Sequence, residues 1–393
     1  MNTDNAIAVP SFAYMSSSFR RGNHRHKPVE DVIAYMTDFT QTIEEIKKEL
    51  RETPHHKGTE HYIGRLRARL ARIEDKMIEV STRLRQGSGG SSGFALRKTG
   101  DASVVLIGPP SAGKSTLLNK FTNAQSKVAA YAFTTTTVIP GMMFYKDAYI
   151  QIFDIPGLLE GASKGKGRGK EVLSVARNSD LLLIISDVQR INYIEKMTQE
   201  LEGAGIRINK VRPNVLINKK IIGGITIHTN IKQDLDDLTI KEIASEMGIK
   251  NADISIKEKV TIDSLIDSFS TSRVYIPAIF VVNKIDTVHR PQFTDHYLAI
   301  SAEKGTGLEN LKEEIWNKLR LLSVYLVQPN EEPNFESPII MQEGDLLSDI
   351  AVKLGTDFSE KRLAKIWGNA AHFPGQKVPT SIKIKDKMQV RFL

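Results

Sequence analysis

The run Gly108-Pro109-Pro110-Ser111-Ala112-Gly113-Lys114-Ser115-Thr116 follows an apolar stretch at residues 104–107 and fits GxxxxGKS. Glycines at these two spacings let successive backbone N–H groups curl around phosphates, a lysine there reaches the β- and γ-phosphates, and the next hydroxyl is a ligand for Mg²⁺. Far downstream, Asn283-Lys284-Ile285-Asp286 selects a base. A carboxylate at Asp286 accepts from N1–H and the exocyclic amine of guanine, whereas adenine lacks that donor pair and leaves the carboxylate unpaired. Between the two lies Asp154-Ile155-Pro156-Gly157, with Asp154 placed to hold Mg²⁺ through water and the Gly157 N–H facing the γ-phosphate. Phe133, Thr134 and Thr135 precede it in a Thr-rich stretch, from which Thr135 is expected to reach Mg²⁺ and the γ-phosphate. Ser301-Ala302 closes the set, with a backbone N–H near Ala302 meeting guanine O6. The chemistry implied is binding of GTP and GDP with Mg²⁺, with Lys114, Thr135 and Gly157 as the groups nearest the reacting phosphate.

Such residues need a scaffold that brings several loops to one edge. Short apolar runs at residues 104–107, 149–153, 181–185, 278–282 and 297–300 alternate with helical patterns, which predicts an α/β domain with a mostly parallel sheet covered on both faces. The site motifs follow the carboxyl ends of those runs, where such sheets bind ligands. This domain is expected over residues 101–191 and 274–330. The chain between, residues 192–273, reads as an inserted α+β domain of two strands, a helix, a strand and a helix.

Before the sheet, residues 1–27 read as an irregular tail and residues 28–86 as a helical hairpin. Two apolar ladders spaced three and four apart are broken by Pro54 and Gly58. Arg65, Arg69, Arg72 and Lys76 share one face beside the second ladder, a stripe that fits either RNA phosphates or a solvated flank. Residues 87–100 have the composition of a flexible Gly/Ser linker, so the hairpin is expected to be able to move relative to the sheet domain that follows. Residues 331–393 change again into strand, helix and strand. Within them Trp367 is expected in a core rather than as a stacking platform.

The composition bounds the class. At 393 residues the chain holds several domains, and its +8 net charge favours a polyanionic partner. It has no cysteine and no apolar run of membrane-spanning length, so a cytoplasmic protein with no membrane partner is expected. His24/His26 and His55/His56/His61 lack carboxylates at ligand spacing, which excludes a structural zinc site from the expectation.

The run Asp154-Ile155-Pro156-Gly157-Leu158-Leu159-Glu160-Gly161-Ala162, followed by Gly165, Gly167 and Gly169, resembles the second switch of Obg-related GTPases. Together with Glu202-Gly203-Ala204-Gly205-Ile206-Arg207, Gly223-Gly224-Ile225, Asn251-Ala252-Asp253 and Arg273-Val274-Tyr275-Ile276-Pro277, it resembles the developmentally regulated GTP-binding proteins, in an archaeal-type form. The resemblance implies a slow GTPase switch acting on the ribosome, ribosomal RNA or translation machinery, with a small regulatory protein partner. It also implies that residues 192–273 are ribosomal-protein-like, and that residues 331–393 form a TGS module, a β-grasp fold. Leu158 stands where Ras-like proteins carry the glutamine that orients water, and related GTPases with an apolar residue there use K⁺. Their usual asparagine ligand is replaced here by Ser111.

Overall fold

The computed structural model describes residues 29–86, 99–122, 139–155, 169–288, 296–329, 331–336 and 338–393. The chain divides into two compact units. One joins the N-terminal helices, up to Ser81, to Val215–Ser270; the other comprises Thr82–Asn214 and Thr271–Leu393.

The first unit begins with α1 (Val29–Glu52) and α2 (Glu60–Gln86). They pair as an antiparallel hairpin: Ile46, Ile63 and Leu66 are buried, Lys47 meets Glu74 at 3.5 Å, and the Tyr62 hydroxyl donates to Glu49. Thr59 closes the turn by donating to the His56 carbonyl at 3.0 Å. So far the ladders predict the outcome.

In the second unit, β1 (Ala102–Ile107) leads into α3 (Lys114–Thr122), followed by the hairpin β2 (Ile139–Tyr145) and β3 (Ala148–Asp154). Then come α4 (Gly169–Arg177), β4 (Leu181–Asp187), α5 (Asn192–Gly203) and β5 (Ile206–Ile208). The chain next builds β6 (Val215–Lys219), β7 (Ile225–Thr229), α6 (Asp237–Glu246), β8 (Ala252–Ile256) and α7 (Ile262–Phe269) in the first unit. It returns through β9 (Val274–Ile276), β10 (Ala278–Asn283), β11 (Leu298–Ala299) and α8 (Leu308–Leu319).

The main sheet has the order β11-β10-β4-β1-β3-β2, parallel except for β2, which pairs antiparallel with β3. Every residue of β1 and β4 is buried, the signature of strands covered on both faces. One face packs against α3 and α8 through Leu117, Leu118, Leu311 and Ile315; the other packs against α4 and α5 through Val172, Ala176, Met197 and Leu201. The fold class is therefore the expected α/β one, while β2 escaped the sequence reading because Pro140 and Gly141 obscure its pattern.

The inserted segment carries the predicted order of two strands, helix, strand and helix, but its limits are narrower than 192–273. Helix α5 packs into the core of the main sheet, and β5 pairs in parallel with β9. The part that folds apart is Val215–Ser270, a sheet ordered β6-β8-β7. Alternating burial along β8 (Ala252, Ile254 and Ile256 inward) shows a sheet covered on one face. Asp236 caps α6 by accepting from the Thr239 N–H at 2.7 Å, and Thr261 with Ser264 forms a capping box on α7.

The hairpin does not stand apart from the inserted segment. Ala68 and Ala71 of α2 are buried in one core with Ile240, Ile243, Leu265 and Ile266. A Cβ on Gly64 would already lie 3.2 Å from the Ile243 Cδ1, so only small residues permit this approach. The predicted basic stripe is largely spent on α6. Arg65 faces Glu242 and Glu246 at 3.6 Å each, and Arg72 donates to the Glu246 carbonyl at 2.9 Å. Burial, followed by the Arg72 charge, holds the Lys76 ammonium below its ordinary value, and Arg69 is half-buried. His61, the third residue of the histidine-rich spot, meets Glu242.

The C-terminal sheet begins earlier than residue 331. Arg320, at φ 52°, ends α8 and turns the chain into β12 (Leu321–Leu326). β13 (Pro338–Gln342), α9 (Leu347–Leu354), a one-turn α10 (Thr356–Ser359), β14 (Leu363–Trp367), β15 (Gln376–Pro379) and β16 (Met388–Phe392) follow. The order β13-β12-β16-β14-β15, with β12 parallel to β16, is that of a β-grasp fold. Trp367 is not in its core: Ala364 and Ile366 point inward, while Trp367 is half-buried beneath Arg391, whose guanidinium lies 5.4 Å from the ring.

Candidate functional site

The parallel register brings the ends of four strands together. Ile107 precedes the glycine-rich loop, Asp154 ends β3 opposite Leu106, and Asp187 ends β4 opposite Asn283 of β10. This is the carboxyl edge of the sheet, the ligand-binding edge of such folds.

The loop is held at nearly every carbonyl. Lys114, the first residue of α3, is 8% exposed and donates from Nζ to the carbonyls of Gly108 (2.9 Å) and Pro109 (3.0 Å). Burial is the main reason its ammonium lies below the ordinary lysine value; Asp154 opposes the shift and Arg190 adds to it. The Ala112 carbonyl accepts from Asn283 Nδ2 at 2.9 Å. Gly113 has φ 90°, and a Cβ there would collide with that Asn283 amide. Gly108 is similarly pressed against the Ile185 carbonyl. The N-terminal N–H groups of α3, at Lys114, Ser115 and Thr116, have no carbonyl one turn back within the helix and point to the loop, which favours an anion.

Gly113→Ala is therefore expected to abolish nucleotide binding while leaving the sheet folded. The check is a nucleotide titration beside a circular dichroism melt. Near-normal affinity would show that the loop adapts.

Ser115 Oγ donates to Asp154 Oδ2 at 2.6 Å, and Asp154, 4% exposed, keeps its Oδ1 buried without a protein partner. A hydroxyl beside an under-satisfied carboxylate is a hard oxygen donor set, which fits Mg²⁺. Among the described residues no group of three or more His, Cys, Asp or Glu side chains is placed to hold a metal, and no helix is long and apolar enough to cross a membrane.

After β10, Lys284 adopts φ 62° and starts the short turn carrying Asp286. The Ser301 hydroxyl, with help from Lys304 and Lys284, holds the Asp286 carboxyl below its ordinary value, and its Oδ1 is buried without a protein partner. An ionised acceptor facing inward suits the N1–H and amine of guanine. The Ala302 N–H has a different task from the one expected: it donates to Asn283 Oδ1 at 2.9 Å. Asn283 thus ties the loop of Ser301 and Ala302 to the phosphate loop. Ser111, at φ 62°, and Thr116 are exposed at the mouth.

Phe133, Thr134, Thr135 and Gly157 lie outside the described residues. Sequence reasoning missed Asp187 and Arg190. Asp187 is 7% exposed and accepts from Arg190 Nε at 3.0 Å, and Arg190 also donates to the Pro110 carbonyl at 3.1 Å. The available signal was an Asp and an Arg three apart, immediately after the apolar run of β4.

Comparison with known proteins agrees with this geometry. Residues 103–219 match a family described as "50S ribosome-binding GTPase", and residues 222–321 match the description "C-terminal region of MMR_HSR1 domain". The chain is 41% identical to a GTP-binding protein of Methanocaldococcus jannaschii over 93% of its own length and 94% of that protein's. It is 38% identical to developmentally-regulated G-protein 3 of Arabidopsis thaliana, covering 91% of this chain and 99% of the relative. The same identity relates it to developmentally-regulated GTP-binding protein 1 of Xenopus laevis, covering 88% of this chain and 96% of the relative.

Proposed function

Since the chain belongs to the developmentally regulated GTP-binding protein family, we propose that it is a GTP-hydrolysing switch acting on the ribosome in the cytoplasm. The observation that carries the enzymatic part is the set of groups gathered at one sheet edge: the buried Lys114 ammonium, the Ser115–Asp154 pair and the Asp286 carboxylate, each carboxylate keeping one buried oxygen without a protein partner. Lys114 and the α3 N–H groups hold the phosphates, Asp286 reads guanine, and Asn283 fixes the distance between the two ends. Mg²⁺, when bound, supplies positive charge at the β- and γ-phosphate oxygens. Ser115 and Asp154 are the described residues that would hold it, with Thr135 completing the set.

Hydrolysis needs a further positive charge, because Leu158 cannot orient water as a glutamine does. K⁺ at the loop mouth, beside Ser111, is the proposed supply. The ribosomal part rests on the net charge of +8 and on the appended domains, and the likeness to the family of 50S ribosome-binding GTPases supports it. The β-grasp sheet is read as a TGS docking module, and a small regulatory protein as a second partner.

One experiment tests these together: single-turnover GTP hydrolysis in K⁺ and in Na⁺ at matched ionic strength, with and without ribosomes, alongside co-sedimentation in GTP and GDP. Slow turnover that is faster in K⁺, with ribosome binding that changes with the nucleotide, is expected. Binding without turnover in any condition favours a nucleotide-tuned RNA- or ribosome-binding scaffold, a reading motivated by Leu158. Equal rates in the two salts remove K⁺, and no co-sedimentation removes the ribosome.

A further inference from the structure

Arg190 leaves the carboxyl end of β4, its own carbonyl pinned by the buried Ser186 hydroxyl at 2.7 Å. Its guanidinium is gripped by Asp187 through both Nε and a terminal nitrogen, and that same terminal nitrogen reaches the Pro110 carbonyl at 3.1 Å. A planar guanidinium held at two edges is an oriented donor, unlike a mobile surface charge.

In a trans peptide the carbonyl and the following N–H point in opposite directions. The described residues contain no cis bond. Holding the Pro110 carbonyl therefore also fixes the direction of the Ser111 N–H, and Ser111 sits at φ 62°, a left-handed conformation unfavourable for a non-glycine residue. Such a conformation persists only where its surroundings hold it, and the Arg190 bond to the Pro110 carbonyl is one of those holds, beside Lys114 on the Pro109 carbonyl and Asn283 on the Ala112 carbonyl.

We infer that Arg190, anchored by Asp187, is a positioning residue that aims the Ser111 N–H at the phosphate chain, where charge develops as GTP is cleaved. The inference rests on the GTPase reading. In that reaction water forms a bond to the γ-phosphorus, the bond to the β,γ-bridging oxygen breaks, and that oxygen leaves with the electron pair as GDP. Water's proton ends on the released phosphate or in solvent. A preorganised N–H near the leaving oxygen lowers the barrier without being needed for ground-state affinity.

The test compares the full chain with Arg190→Ala, Arg190→Lys and Asp187→Asn. Readouts are single-turnover hydrolysis, GDP affinity, melting temperature and the Ser111 amide resonance of the Mg²⁺·GDP complex. Arg190→Ala is expected to slow hydrolysis roughly tenfold to a hundredfold while GDP affinity moves by less than about threefold. The Ser111 amide should move upfield as its hydrogen bond loosens. Arg190→Lys should recover part of both effects, and Asp187→Asn should add nothing to Arg190→Ala, because the pair acts as one device. An unmoved amide with an unchanged rate overturns the inference. So does a parallel loss of melting temperature, GDP affinity and rate, which marks a merely structural brace. Absence of hydrolysis in the unaltered chain overturns the GTPase reading instead, and the amide shift then still decides whether Arg190 sets the peptide.

Discussion

Replacing Lys114 by alanine is expected to weaken GTP binding by about two to three orders of magnitude. Charge-assisted hydrogen bonds contribute roughly 1.5–3 kcal/mol each, and about 1.4 kcal/mol corresponds to tenfold in affinity. Lys114 is the buried cation of the loop, and its Nζ lies between the Gly108 and Pro109 carbonyls. Removing it costs the phosphate bonds and also takes a donor from each of those two carbonyls, leaving Pro109 with the Ala112 N–H at 3.3 Å. Arg190 does not compensate, because its guanidinium is already engaged by Asp187 and Pro110. A fluorescent-nucleotide titration measures the effect, and an affinity within about threefold of the original would take phosphate binding away from this loop.

Asp286→Asn is expected to lower GTP affinity roughly a hundredfold and to raise that for xanthosine triphosphate, because a site built for one donor–acceptor pattern rejects its inverse. The carboxylate offers only acceptors, matched to the N1–H and amine of guanine; an amide offers a donor that suits the 2-oxo group of xanthine. Competition between the two triphosphates is the measurement. An unchanged ratio of affinities would assign base recognition elsewhere.

The site was legible because its residues come in short contiguous runs whose backbone geometry is local. Gly108 and Gly113 need no knowledge of the rest of the chain to suggest a phosphate loop, although the reason Gly113 tolerates no side chain, the Asn283 amide, lies far downstream. Five of the six strands of the main sheet were legible because strands covered on both faces form unbroken apolar runs, as β1 and β4 do. What stayed hidden depends on partners distant in sequence. Ala68 and Ala71 carry no weight in a hydrophobic ladder, yet they form the surface on which α6 packs. Arg65 and Arg72 look like a free basic stripe until Glu242 and Glu246 are folded against them. β12 follows α8 with a single residue between, so its apolar run reads as a continuation of the preceding domain. Asp187 and Arg190 form no familiar sequence pattern, and only the register of β4 against β10 places them at the loop.

The shared core of α2 with Val215–Ser270 has a consequence for how the protein is made. The hairpin leaves the translating ribosome first, but the surface that buries Ala68 and Ala71 is complete only after Ser270 has been added. At bacterial to eukaryotic elongation rates that interval is roughly ten to forty seconds. During it, the first-made helices carry an uncovered strip of small apolar residues, and the main sheet, whose β10 and β11 also come last, is unfinished too. The first unit cannot close before Ser270 nor the main sheet before β11, so these two are completed within a short stretch of chain, and the C-terminal sheet follows.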